Sequence, residues 1–156
     1  HAEDALRDSV ASRGLGDVYK RQLLDRSIED GILPWCRENG VGVIPYSPMG
    51  RGLLTGKISA THEYPPSDHR SKLQDFQPGR REAILAALAE IEPICQERGV
   101  TLGNLAVAWV LSQPGVTAAL VGARNARQAE ENAAALEVCL DEREEQAIRR
   151  VFEALD

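Results

Sequence analysis

Val41-Gly-Val-Ile-Pro-Tyr46, followed by Ser47-Pro-Met-Gly-Arg-Gly-Leu-Leu-Thr-Gly56, is the stretch from which the fold can be read. An apolar run rich in branched residues ends at an aromatic, then passes at once into a hydroxyl, a proline and closely spaced glycines. A buried strand hands over in this way to a loop that a polar ligand approaches closely, because glycine lets the backbone come near and adopt left-handed turns. Pro45 stands near the end of the run, where its missing N–H is tolerable only at a sheet edge or where the ladder is already ending.

Upstream, Ser27 and Glu29 open a segment in which Ile32, Leu33, Trp35 and Cys36 form an apolar stripe, Arg37 lies late, and Asn39-Gly40 supplies a stop. That pattern predicts a helix. Downstream, residues 47–79 carry Gly50, Gly52, Gly56, Pro65, Pro66, Pro78 and Gly79, which predicts a long loop with little regular structure and mobility around 64–70. Arg80 to Arg98 reads as a helix with Ile84, Leu88, Ile91 and Cys95 on one face, kinked or interrupted at Pro93 and closed by Gly99. Thr101 is a good N-cap for the next helix, in which Leu102, Leu105, Ala106 and Trp109 follow helical spacing before Pro114-Gly115. A second strand is expected over 117–121, broken by Gly122. An alanine-rich helix follows over 125–136, and a last helix starts at Asp141 with Ile148, Val151, Phe152 and Leu155 as its stripe. Strands alternating with helices imply a parallel α/β sheet, since parallel neighbours need crossovers that cover its faces.

The 156 residues, 43% hydrophobic, suit one domain. A net charge of −6 with scattered basic residues argues against nucleic acid or an anionic membrane surface as partner. No apolar stretch approaches the roughly 20 residues that span a bilayer, and no signal-peptide pattern opens the chain, so a cytoplasmic location is expected. Cys36, Cys95 and Cys139 are far apart and read as ordinary small apolar residues. His62 and His69 share a Pro/Ser/Asp-rich stretch with Asp68; the expected reading is a solvated turn rather than a metal site.

Residues 1–22 fall outside this scheme and read as a non-native N-terminal segment. Ser12-Arg-Gly-Leu-Gly-Asp-Val-Tyr-Lys-Arg-Gln22 has no apolar periodicity. It resembles the in-frame translation of a sequencing-library transposon adapter, whose final codons give Asp-Val-Tyr-Lys-Arg-Gln, and it is read as an assembly scar of metagenomic origin. Residues 23–156 are then the domain.

Both expected strands end in polar, glycine-containing turns, and in a parallel sheet with right-handed crossovers those turns share one face. In the second, Gly122 permits close approach, Arg124 offers a planar fork of donors, and Gln128, Glu131 and Asn132 fall on one helical face. A helix N-terminus beside arginines favours an anion such as phosphate, although solvated arginines account for the spacing equally well. Two anion-friendly loops beside Tyr46, which can cover a flat ring, favour a ligand site.

Leu23-Leu-Asp-Arg26, Val43 through Lys57, Leu105-Ala-Val-Ala-Trp-Val-Leu111 and Val121-Gly-Ala-Arg-Asn through Glu131-Asn132, in that order, resemble the C-terminal half of the aldo-keto reductases. The resemblance implies the C-terminal part of a (β/α)8 TIM barrel, incomplete here, that binds NADP(H) without a G-x-G-x-x-G turn. By position, Tyr46 resembles the aromatic that stacks on nicotinamide. Ser47, Met49, Arg51 and Gly52 resemble the segment that wraps the pyrophosphate. Gly122, Arg124, Gln128, Glu131 and Asn132 resemble the adenosine end, with Arg124 the candidate for the 2′-phosphate. Arg51 and Lys57 are less certain phosphate contacts. The family has Leu where Met49 stands and Ala where Pro45 stands. It also runs Gln-x-x-Tyr-Asn into the Leu-Leu-Asp-Arg motif, whereas Lys20-Arg21-Gln22 occupies that approach here, so the role of the family's carboxamide-holding Gln is not carried to Gln22.

The family's reaction is hydride transfer between NADPH and a small carbonyl substrate, with a tyrosine proton donor tuned by lysine, aspartate and histidine. Those groups belong to the first half of the barrel, no residues here fit them, and a closed barrel needs about 250 residues and eight strands. The expectation is therefore no catalytic residue on this chain, no metal, and a fragment of an NADP-dependent oxidoreductase that is inactive as written. The alternative is a non-catalytic NADP(H)-binding regulatory subunit of the same fold.

Overall fold

The computed structural model describes residues 16–155; residues 1–15, which include the first four residues of the adapter-like stretch, and residue 156 lie outside the described part. β1 (Gly16–Asp17) and β2 (Gly42–Val43) pair in parallel, with Gly16 opposite Gly42 and Asp17 opposite Val43. The pairing continues to Lys20 opposite Tyr46, where the Tyr46 N–H donates to the Tyr19 carbonyl at 2.9 Å. On the far side of β2, Val43 opposes Val116 and Tyr46 opposes Leu120, again in parallel. Neighbouring segments thus run the same way in the order β1, β2, 116–120, joined by helical crossovers. The first crossover contains α1 (Ile32–Glu38), and the second contains α2 (Arg80–Arg98) and α3 (Leu102–Leu111); α4 (Ala126–Ala133) and α5 (Glu142–Glu153) follow.

α3 lies deepest. Its residues from Gly103 to Val110 are all buried, and Trp109 is fully enclosed, as expected of a helix that is apolar all round. Ile84, Leu88 and Ile91 of α2, Ile148 and Phe152 of α5, and Leu53 and Leu54 of the loop after β2 close over it. Each such aliphatic side chain contributes about 1.5–3 kcal/mol on burial, so Leu53 and Leu54 anchor the glycine-rich loop to the core. A second cluster joins Leu33 and Cys36 of α1 to Val43 and Ile28.

The structure differs from the sequence reading at several places. α1 begins at Ile32 rather than at Ser27 or Glu29. This start puts Pro34 in the first turn, where its missing N–H needs no partner, whereas the earlier start would bury it in the helix interior. α2 runs through Pro93 without interruption; Pro93 and Ala89, whose carbonyl loses its donor, are both exposed. The second strand is reduced to bridges at Val116 and Leu120, and β2 itself is shorter than 41–46. The alanine-rich helix ends at Ala133 and tightens into a 3-10 turn, Ala134–Glu137. The 57–79 region has a framework of its own. Tyr64 meets His62 and Phe76 edge-on at centroid distances of 4.5 and 5.5 Å. Short 3-10 turns form at His69–Lys72 and Gln74–Phe76, and buried Arg81 donates to the carbonyls of His62 and Ala60.

The largest difference concerns the adapter-like stretch, set aside as foreign to the scheme. Its described part supplies β1 and then Arg21 and Gln22, both buried. Arg21 donates to Glu29 at 2.8 Å and to Gln113 at 3.1 Å, with its guanidinium 5.2 Å from the Trp109 ring centre. Arg26 and Arg149 also donate to Glu29, at 2.9 and 2.7 Å. Burial alone would raise the Glu29 carboxyl, but the hydrogen bonds from Arg26 and Arg149 and the charge of Arg21 outweigh it and hold it below its ordinary value. Burial pushes the Arg21 guanidinium down, against the pull of Glu29. The fit is incomplete: Arg21 Nε and Nη1 and Gln22 Oε1 are buried without a partner.

Candidate functional site

The backbone after Tyr46 turns through a series of left-handed residues. Ser47, Gly50, Arg51 and Gly52 have φ of 57°, 55°, 57° and 93°, and Gly56 follows at 70°. Glycine takes these angles freely, but Ser47 and Arg51 hold them at a cost of about 1–2 kcal/mol each. The Gly50 and Gly52 N–H groups donate within the loop, to the carbonyls of Ser47 at 2.9 Å and Met49 at 3.0 Å, and fix its turns. Two glycines are further constrained by contact. A Cβ on Gly50 would lie 2.6 Å from Gln22 Oε1, and one on Gly56 would lie 2.7 Å from Leu102 Cδ1.

The opposing wall begins after Leu120. Asn125 caps α4 by accepting from the Gln128 N–H at 2.9 Å. The Gln128 side chain in turn accepts from the Arg124 N–H at 2.8 Å, and Asn132 donates to the Gly122 carbonyl at 3.2 Å. These bonds curl residues 122–125 over the start of α4.

Between the walls lies a groove of about 680 Å³. Tyr46, Ser47, Met49, Arg51 and Gly52 line one side, and Gly122, Arg124, Gln128, Glu131 and Asn132 line the other, so every candidate binding residue faces one space. Tyr46 lines the groove and is 40% exposed. The basic side chains lining the groove are Arg51, Lys57, Arg70 and Arg124. Arg70 is held by Asp68 at 2.6 Å, and its hydrogen bonds pull the Asp68 carboxyl down to about 2. Arg51 contacts the His69 ring. The acidic lining residue, Glu131, is paired with Arg127 at 2.8 Å. Lys57 and Arg124 make no ion pair among the described residues, which leaves exposed positive charge on both walls. His62 packs on Tyr64, and no cluster of His, Cys, Asp or Glu with metal-holding geometry occurs among the described residues.

Thr101, Gly103 and Asn104 at the start of α3, Thr55, Ile58 and Arg70 also line the groove. Thr101 was legible as a helix cap, but nothing in it announced a floor between two walls. Arg70 was not singled out, although the turn that brings it in is capped by Asp68, whose side chain accepts from the Arg70 N–H at 3.0 Å.

A parallel β/α arrangement with a cationic groove at the strand ends is the layout of a β/α-barrel segment. The sequence model of the Aldo/keto reductase family matches residues 18–153, and the chain belongs to that family. It is 37% identical over 137 residues to the NADH-specific methylglyoxal reductase of Escherichia coli (strain K12), covering 88% of this chain and 41% of that protein. It is 33% identical over 128 residues to an aldo-keto reductase of Schizosaccharomyces pombe (strain 972 / ATCC 24843) named for NADP(+), covering 82% of this chain and 37% of that protein. Among solved structures, the glycerol dehydrogenase of Gluconobacter oxydans superposes with a TM-score of 0.84 at 33% identity, covering 89% of this chain and 42% of that one. The chain therefore spans about two fifths of the relatives it matches, and its fold is part of a TIM barrel. The family generally binds a nicotinamide cofactor. No helix among the described residues is long and apolar enough to cross a membrane.

Proposed function

We propose that the chain is the cofactor-holding half of an NADP(H)-dependent aldo-keto reductase that acts on small aldehydes or ketones in the cytoplasm. The observation that carries this reading is the single cationic groove lined by both loops. The cofactor fits the donor set: left-handed turns at 47–52 suit a pyrophosphate, Tyr46 suits a flat ring, and the unpaired Arg124 guanidinium suits a phosphate on the adenosine ribose. That phosphate separates NADP from NAD, and both preferences occur among the relatives. When bound, the cofactor supplies the hydride. The residues of this chain orient it, and the proton donor lies on the other half of the barrel. The chain as written turns over no carbonyl and holds the cofactor weakly.

The test is to clone the complete gene and follow NADPH and NADH oxidation with an aldehyde panel. Turnover faster with NADPH is expected, and no turnover with any carbonyl overturns the reading. A second reading, a non-catalytic NADP(H)-binding regulatory subunit, is favoured by 34% identity over 115 residues to a probable voltage-gated potassium channel subunit beta of Arabidopsis thaliana. An upstream sequence that lacks the Asp, Tyr, Lys and His set while the product still binds NADPH selects it.

Ser12 to Gln22 are proposed to be an adapter scar foreign to the gene, joining residues 1–11, a piece of the same gene or of another, to the domain over 23–156. The orphaned polar atoms of Arg21 and Gln22 support this. Long reads across residues 12–23 test it, and an uninterrupted native reading frame overturns it.

A further inference from the structure

Asn104 is a polar side chain in an otherwise apolar buried run, 8% exposed. Burying an amide is costly unless its donors and acceptors are used, and here they are. Its Oδ1 accepts from the Thr101 N–H at 3.3 Å and from the Thr101 hydroxyl at 2.6 Å. Its Nδ2 donates to the Glu131 carbonyl at 2.5 Å, a bond that has nothing to do with capping α3 and reaches across to α4. The residue before it faces the other way. A Cβ on Gly103 would stand 3.4 Å from Met49 Sδ and 3.5 Å from Thr55 Cγ2, so the first turn of α3 rests against the left-handed loop. The same turn thus touches both walls of the groove, one through van der Waals contact and the other through a single amide bond.

We propose that Asn104 is a positioning residue that sets the width of the groove, holding α4 at a fixed distance from the 47–56 loop by its bond to the Glu131 carbonyl. The inference rests on the cofactor reading, because width matters only to a ligand that spans both walls. A ligand that touches α4 alone is indifferent to it.

The test uses Asn104→Ser in the product of the complete gene, in which both halves of the barrel are present. Serine is neutral and still able to bond Thr101, but too short to reach Glu131. NADPH, which spans both walls, and adenosine 2′-phosphate, which touches only the α4 wall, are titrated to millimolar concentration and followed by amide shifts in residues 120–132. The loss of one buried hydrogen bond is expected to weaken NADPH about three- to tenfold, and adenosine 2′-phosphate by less than about twofold. Equal weakening of both ligands, or of neither, overturns the inference alone. Failure of the parent chain to bind either ligand overturns the cofactor reading and takes this inference with it. Should Asn104→Ser not fold, Asn104→Thr carries the test: it is neutral, fills more of the buried volume, keeps a hydroxyl for Thr101, cannot reach the Glu131 carbonyl, and is expected to show the same contrast between the two ligands.

Discussion

Tyr46 lies opposite Leu120, although Val43 three residues earlier lies opposite Val116, four residues before Leu120. The 116–120 segment therefore carries one residue more than β2 between the bridges, and the ladder slips by one position. The slip falls on Pro45. In unbroken parallel register the N–H of residue 45 would donate to the Thr117 carbonyl, as Val43 donates to Gly115 at 3.3 Å, and proline has none to give. Downstream of the slip, the Leu120 N–H donates to the Pro45 carbonyl at 2.7 Å. Pro45 thus ends β2 and leaves Tyr46 at the edge of the groove.

Pro45→Ala restores the donor. The bond is worth about 1 kcal/mol, but replacing proline returns about 0.4–1 kcal/mol of freedom to the unfolded chain, so the unfolding midpoint barely moves. The expected signal is hydrogen exchange: the new amide at 45 is protected, and the 117–121 amides gain protection with it. An unprotected amide at 45 would mean that the loop after Tyr46, not the proline, sets the register.

How much of this was legible in the chain depends on how far away each cause lies. Thr101, Asn125 and Asp141 cap helices through residues three positions on, so those starts could be read from local spacing. The two loops that line the groove were legible as loops too, since glycines and a terminal aromatic leave a local signature. The strand slip was not, because it depends on the register of a segment more than seventy residues away. Nor was the use of Arg21, whose partners Glu29, Gln113 and Trp109 are distant or lie around a turn. A stretch without periodicity carries no sign of the strand it will form. Asn104 was half legible: its bonds to Thr101 are local, but the Glu131 carbonyl lies 27 residues along.

Arg51 holds φ at 57° while contributing a guanidinium to the groove, so backbone and side chain can be separated by substitution. Arg51→Ala keeps the left-handed cost and removes the cation. Arg51→Gly removes both, and is expected to be more stable than the alanine variant by about 1 kcal/mol in urea unfolding. Both variants should lose cofactor affinity alike. An alanine variant as stable as the glycine variant would show that residue 51 leaves the left-handed region in solution.

Glu29 joins Arg21, Arg26 and Arg149, and Glu29→Gln strands Arg21, whose side chain is 1% exposed, without its counter-charge. Breaking such a pair is expected to cost about 3 kcal/mol. The folded-state carboxyl is depressed below its ordinary 4.5, so its contribution is present in full above that value and drains away as pH falls through the lower folded value. Urea midpoints measured from pH 7 to pH 3 should fall below about pH 4.5 in the parent. In Glu29→Gln this share of the fall should be missing, and equal slopes in the two proteins would remove Glu29 from the account.

Arg21 and Gln22 stand where the family resemblance has Tyr-Asn, and their buried Nε, Nη1 and Oε1 atoms lack partners. Each orphaned atom costs about 1–3 kcal/mol. The double change Arg21→Tyr with Gln22→Asn is therefore expected to raise the midpoint of unfolding. A lower midpoint would mean that the arginine cluster around Trp109 needs Arg21, and that these residues belong to the fold they occupy.

Arg124 decides between the two nicotinamide cofactors if its guanidinium meets the ribose phosphate. A hydrogen bond between charged groups contributes about 1.5–3 kcal/mol, which corresponds to about ten- to a hundredfold in affinity. Arg124→Ala should lower the affinity for NADPH by that factor while leaving NADH within about twofold, because NADH has nothing at that position for the guanidinium to hold. Lys57 sits on the opposite wall and makes no ion pair among the described residues, so Lys57→Ala should weaken both cofactors alike through the pyrophosphate they share. Calorimetric titration of the complete protein separates the two patterns. If Arg124→Ala weakens NADH as much as NADPH, the guanidinium serves the pyrophosphate or the adenine, and the preference for NADP must be sought in other residues of the 122–132 wall.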